Sequence, residues 1–240
     1  TGSGKTTTLY TALSGLNTPD VKIITVEDPV EYQLEGINQI QVKPQIGLDF
    51  GGALRSIMRQ DPDVIMIGEM RDLETCRIAI QSALTGHLVL STLHTNSAGG
   101  GITGLLDMGV EDYLLGSTVN GILAQRLVRR LDPATAVAYE PSLEVIAEFE
   151  LAKYAEGKPI RLWRPGASEA NPTGYCGRHA IVEFLVMSEP LRRLIMQHAD
   201  AGEIERQARR EGMRTMYEDG IAKALAGVTT LEEVMRVTQE

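Results

Sequence analysis

An α/β fold with a largely parallel sheet is predicted by three observations. Short apolar runs, Val64-Ile65-Met66-Ile67 among them, alternate with segments of helix length, the pattern of βαβ units with right-handed crossovers. Two such runs deliver an acid at their carboxyl ends, Glu27 and Glu69, where buried parallel strands carry functional groups. A glycine-containing stretch, Thr1 to Thr7, opens directly into a helix.

The elements follow in order. Thr6 to Leu16 reads as a helix, stopped by the turn formers Asn17-Thr18-Pro19-Asp20. Val21 to Glu27 is a β-branched strand, and the alternation from Ile37 to Val42 predicts a half-buried strand broken by Pro44 to Gly47. Phe50 to Arg59 is helical, Val64 to Gly68 a buried strand, Leu73 to Leu84 a helix and His87 to Thr92 another buried strand. Val110 to Arg130 reads as an amphipathic helix whose Arg126, Arg129 and Arg130 complement its carboxyl end. Pro, Gly and scattered charge make 132–177 irregular. His179 to Met187 is a predicted strand, and the remainder is helical, broken at Gly212 and Gly227, with Thr230-x-x-Glu233 as a capping box. Three parts are expected: a core over 1–131, an irregular subdomain over 132–178, and a strand and helical region over 179–240.

With 240 residues, 43% of them hydrophobic, the chain is long enough for one sizeable core and a smaller appendage. Its net charge of -9 disfavours indiscriminate binding to nucleic acid, which needs clustered Lys and Arg. The two cysteines, Cys76 and Cys176, are too few for a disulfide scaffold and suit a reducing compartment. No signal peptide and no apolar run of about 18 or more residues is visible.

The chemistry concentrates in four places. Gly4, Lys5 and Thr6 match the end of the phosphate-loop pattern G-x-x-x-x-G-K-[ST], whose first Gly would precede Thr1. The chain is therefore expected to be the C-terminal part of a longer protein, poorly soluble or inactive by itself. Backbone N–H groups of Gly2, Ser3, Gly4, Lys5, Thr6 and Thr7 at a helix start suit a triphosphate. Lys5 would sit on its β- and γ-phosphates, and the Thr6 hydroxyl would complete the coordination of Mg²⁺. Glu69 is placed to orient or deprotonate a water, and to hold Mg²⁺ through water, since Gly68 stands where many related strands put an Asp. Glu27, with Asp28 and Glu31, adds carboxylates along the same sheet edge. His94 ends the fourth strand, where a γ-phosphate or a neighbouring subunit is within its reach, and a buried structural role is the alternative. His87 is structural, and the seven-residue spacing makes the two a poor metal pair. Arg55, Arg59, Arg71 and Arg77 are candidates for bridging subunits or shaping charge during phosphoryl transfer.

Four segments together, TGSGKTTTLY, ITVEDPVEY, LRSIMRQDPDVIMIGEMRDLET and TGHLVLSTLHTNSA, resemble the Walker A loop, Asp box, atypical Walker B and His box of the secretion ATPases. That family powers type II secretion and type IV pilus assembly or retraction. The order and spacing agree over about residues 1 to 131, and the tail resembles the assembly and export branch, favouring a type II secretion member over a pilus assembly motor. The resemblance implies a RecA-like ATPase core and a homohexamer. It further implies a cytoplasmic place against the inner membrane, and ATP hydrolysis that moves an inner-membrane platform with its anchoring proteins. Lys5 and Thr6 would bind ATP and Mg²⁺, Glu69 would be the catalytic acid, and Glu27 and His94 would belong to the two named boxes. A RecA-like motor on nucleic acid is disfavoured by the charge and by the lack of interleaved aromatic and basic residues. A non-hydrolysing scaffold is disfavoured by the intact Lys5, Thr6 and Glu69.

Two departures from the family stand out. Gly104 occupies a position where relatives are expected to carry Arg, after the glycine run Gly99-Gly100-Gly101. Many export members bind zinc through two C-x-x-C pairs, whereas the matching positions here are Asp132, Thr135, Ala167 and Ala170. A closed zinc site takes about four thiolate or imidazole ligands. The purified protein is accordingly expected to be zinc-free, and elemental analysis finding stoichiometric zinc overturns this.

Overall fold

The structure is a computed structural model and describes residues 2–155 and 157–239. In chain order the elements are α1 (Lys5–Leu16), β1 (Ile23–Glu27), β2 (Asn38–Gln41), α2 (Phe50–Ile57), β3 (Val64–Ile67), α3 (Leu73–Leu84) and β4 (Leu88–Ser91). There follow α4 (Ala98–Asp107), α5 (Asp112–Thr118), β5 (Gly121–Leu131), β6 (Val137–Tyr139), α6 (Leu143–Glu148), α7 (Leu151–Tyr154) and β7 (Leu162–Arg164). The chain closes with β8 (Tyr175–Val186), α8 (Glu189–Met196), α9 (Ala201–Arg210), α10 (Met216–Leu225) and α11 (Leu231–Thr238). Two compact units emerge: one comprises Lys5–Ile122 with Val186–Ala208, and the other the remaining described residues. Each is discontinuous in sequence, unlike the division expected from chain order.

The first unit holds a four-stranded parallel sheet in the order β2-β1-β3-β4. Its strands alternate strictly. Ile24, Val26, Ile65 and Ile67 point to one face and pack with Ala53, Leu54 and Ile57 of α2 and Ala79 of α3. Ile23, Val64 and Met66 point to the other, against Tyr10 and Leu13 of α1. Helix starts are fixed locally: the Asp49, Asp72 and Ser97 side chains accept from the backbone N–H of Gly52, Thr75 and Gly100. The glycine run that weakens α4 in isolation is required by packing. A Cβ on Gly99 would lie 2.8 Å from the Ala201 carbonyl oxygen, so only glycine lets the two backbones meet. Around Gly104 no such neighbour stands within 4 Å.

The helix expected over Val110 to Arg130 is not formed. Its first part is the short α5, and Gly121 to Leu131 is the strand β5, paired with β8. Leu, Ala and Arg favour a helix locally, but the backbone donors and acceptors of this segment find a partner strand instead.

In the second unit β6 and β7 form an antiparallel pair, with Ala138 opposite Trp163. The segment expected to be irregular is thus partly ordered, and Leu151 and Leu162 join Ile221, Ala224, Leu231 and Val234 in a core. The Asp132 carboxylate accepts from Asn171 Nδ2 at 2.9 Å and from the Ala134 N–H at 3.0 Å. Asn171 Nδ2 also donates to the Tyr175 carbonyl at 3.1 Å, closing this loop on itself.

The capping box expected at Thr230 and Glu233 is only half formed. Thr230 accepts from the Glu233 N–H, while the reciprocal box lies at Thr215 and Glu218. Glu233 is diverted to a stronger partner set: it accepts from the Arg129 backbone N–H at 2.8 Å, the Arg129 guanidinium at 2.8 and 3.0 Å, and Arg236 at 2.8 and 2.9 Å. Burial pushes this carboxyl's pKa up, and the hydrogen bonds from Arg236 and Arg129 outweigh that, holding it down to about 2 against an ordinary 4.5. Because the folded pKa is depressed, the stabilisation is complete above the ordinary value and disappears as pH falls through about 2. Glu233→Gln is expected to lower stability at neutral pH by on the order of 2 kcal/mol. Denaturant titrations of both proteins should show the gap shrinking steadily on acidification below about pH 4; a gap independent of pH contradicts the assignment.

Candidate functional site

Gly2 and Gly4 have φ of 83° and 85°, the left-handed conformation that glycine adopts without strain. They bend the chain immediately before α1 begins at Lys5, where a helix presents the N–H groups of its first turn. Lys5 is half-buried, and Thr6 and Thr7 are exposed at this helix start. In the second unit, Gln125 on β5 donates from Nε2 to the Ser3 carbonyl oxygen at 2.7 Å. That brace from a residue more than a hundred positions away has no local signal in the sequence.

The carboxyl ends of the central strands are aligned by the sheet register. Val26 lies opposite Ile67, and Ile67 opposite Ser91. The residues just beyond these pairs, Glu27, Glu69 and His94, therefore share one edge. Gly68 explains why no Asp stands at the end of β3. Its N–H donates to the Val26 carbonyl at 2.8 Å, and a Cβ there would sit 3.3 Å from Glu27 Cα. The approach of β3 to β1 leaves little room for a side chain.

Glu69 and His94 are brought together. Glu69 Oε2 lies 3.2 Å from His94 Nε2 and 2.6 Å from Arg71 Nε, with the Glu69 side chain 12% exposed and the His94 and Arg71 side chains mostly exposed. The Thr92 hydroxyl donates to the Gly68 carbonyl at 2.7 Å, and the Met70 N–H to the Thr92 carbonyl at 3.0 Å. These bonds fasten the Glu69 loop to the end of β4.

Glu27 is placed differently. Strand alternation puts Thr25 and Glu27 on the α1 face, and Glu27 is 3% exposed. The hydroxyls of Tyr10 and Thr25 donate to its carboxylate, and Gln39 Nε2 donates to Oε1 at 3.1 Å. Asp28 and Glu31 are exposed, so the three acids do not act as one cluster. Burial, and next the hydrogen bond to Glu27, push the Tyr10 pKa up to about 12. Tyr10 and Gln39 are not among the residues expected at this site, although parity along β1 and the four-residue step from Thr6 to Tyr10 point to the meeting.

Of the other arginines, Arg55 pairs with Glu74, and Arg77 with Glu111 at 3.2 Å. Arg59 lies in the 3₁₀ turn Met58–Gln60. Among the described residues no three His, Cys, Asp or Glu side chains converge to hold a metal ion.

The model of the type II/IV secretion system protein family matches residues 1–236. Over its full length the chain is 73% identical to the type II secretion system protein E of Xanthomonas campestris pv. campestris, covering 42% of that protein. It is 52% identical to the type II secretion system protein E of Pseudomonas aeruginosa and 49% identical to the type IV pilus assembly ATPase PilB of Thermus thermophilus, covering 47% and 27% of them. The chain thus spans less than half the length of these relatives. Among solved structures, the pilus retraction motor PilT with bound ADP matches with a TM-score of 0.72 at 29% identity, over 100% of this chain and 59% of that one. The Legionella pneumophila ATPase DotB matches at 0.68 and 24% identity, over 99% of this chain and 57% of that one, and so shares the fold. The parallel sheet and its flanking helices are those of a RecA-like phosphate-loop ATPase, and the chain belongs to the type II/IV secretion system protein family.

Proposed function

We propose that the protein hydrolyses ATP to drive type II secretion through an inner-membrane platform and its anchoring proteins, as a homohexamer at the cytoplasmic side of that membrane. The observation that carries the chemistry is Glu69, a carboxylate at the end of a buried strand, held by His94 and Arg71 on the edge it shares with Glu27. The N–H groups of residues 2 to 7 grip the polyphosphate, and Lys5 neutralises its β- and γ-oxygens. Glu69 aims a water at the terminal phosphorus and accepts its proton. His94, beside Glu69, adjusts that carboxylate's position, and Glu27 fixes the neighbouring strand end.

An exposed Thr6 hydroxyl at the helix start, with no cage of carboxylates among the described residues, suits Mg²⁺, which takes most of its ligands from phosphate and water. Thr6 would hold it directly and Glu69 through water, and the ion would neutralise charge on the phosphates. Among the described residues no helix is long and apolar enough to cross a membrane. A role in type IV pilus assembly is the second reading, and 73% against 49% identity favours secretion.

In the full-length protein, Lys5→Ala should abolish Mg²⁺-dependent ATP binding measured by calorimetry, and undiminished affinity refutes the phosphate-loop reading. Glu69→Gln should leave binding intact and reduce turnover by about a hundredfold or more; unchanged hydrolysis removes Glu69 as the base. In a strain lacking the gene, loss of pili with secretion intact would select the second reading.

A further inference from the structure

Tyr10 is a buried, hydrogen-bonded polar side chain of the first unit that the proposed chemistry does not use. It is 1% exposed, and its ring packs among Leu13, Ile23 and Met66 and meets the Tyr32 ring edge-on, with centroids 4.7 Å apart. A phenylalanine would satisfy all of those contacts. The hydroxyl is what requires explanation: it donates to the Glu27 carboxylate and accepts from the Glu31 N–H and from Gln39 Nε2, both at 3.3 Å.

Tyr10 stands one helical turn beyond Thr6, on the same side of α1. A helix is rigid over one turn, so a shift imposed on Lys5 and Thr6 by a bound polyphosphate is carried to the hydroxyl. Strand β1, by contrast, is fixed by its neighbours on both sides. We infer that the Tyr10 hydroxyl is a positioning group, registering the helix that carries Lys5 and Thr6 against the Glu27 carboxylate and the 28–31 turn. Gln39 supports the arrangement from the strand side, because its Oε1 accepts from the Leu34 N–H at 2.7 Å and so directs Nε2 at Glu27 and Tyr10. The inference rests on the reading of this edge as an ATP-hydrolysing site.

The test uses full-length Tyr10→Phe, assayed well below its melting temperature, with Glu27→Gln and the double variant beside it. Tyr10→Phe should lower kcat by about tenfold, the loss expected from one hydrogen bond to a charged group. Affinity for a non-hydrolysable ATP analogue should stay within about twofold of wild type, because the phosphate-gripping groups are untouched. The double variant should be no slower than Glu27→Gln, because the hydroxyl acts through that carboxylate. Turnover of Tyr10→Phe within about twofold of wild type overturns the inference. So does a loss of affinity that accounts for the whole loss of rate, or a double variant whose defects multiply. Failure of the parent reading looks different: wild-type protein that does not hydrolyse ATP, or full turnover by Glu27→Gln, appears before any Tyr10 variant is made.

Discussion

The register of three parallel strands governs the candidate site. Backbone hydrogen bonding sets Val26 against Ile67 and Ile67 against Ser91, so the residues that follow emerge at one edge, where side-chain contacts then hold them. A slip of one residue in β1 would reverse its parity and turn Glu27 from the α1 face to the α2 and α3 face. The tight meeting of Gly68 with the end of β1 belongs to the same constraint. Parallel strands need helical crossovers, and those crossovers supply the apolar faces that keep the sheet dry.

Two carboxylates at this edge live under opposite conditions. Glu27 is buried among neutral donors on three different elements, α1, β1 and β2, and can leave them only by exposing an unpaired charge to an apolar surrounding. Glu69 is held by Arg71 and His94, whose side chains are more than half exposed. Ion pairs with exposed partners are weak and exchange readily with water. One acid is therefore anchored and the other adjustable, which is the division of labour that a site needs if it is to respond to the charge of an arriving polyphosphate.

The elements of the sheet were legible wherever periodicity and punctuation agreed. The helix expected over Leu73 to Leu84 is observed, and the strand expected over Val64 to Gly68 runs from Val64 to Ile67, where the apolar pattern placed them. The strand β5 was illegible because its Leu, Ala and Arg content favours a helix, and the pairing with β8 that decides its state joins residues about fifty positions apart in sequence. Glu233 misled in a different way. A capping box is a local pattern, and the diversion of its acid to Arg129 depends on a contact between residues 104 positions apart. At the edge of the sheet, Glu69 with His94 was within reach of sequence reasoning because both follow strand ends. Arg71 as their third member was one of four arginines with equal claims, and only the fold separates it from Arg55, which pairs with Glu74 on α3 instead.

The chain contains a single tryptophan, and Trp163 on β7 lies under Gly227, so closely that a Cβ at 227 would stand 2.8 Å from the indole. Gly227 has φ of 76° and closes the turn between α10 and α11. The indole is therefore a native optical probe of how that turn seats on β7. Its emission monitors the second unit, to which Trp163 and Gly227 both belong.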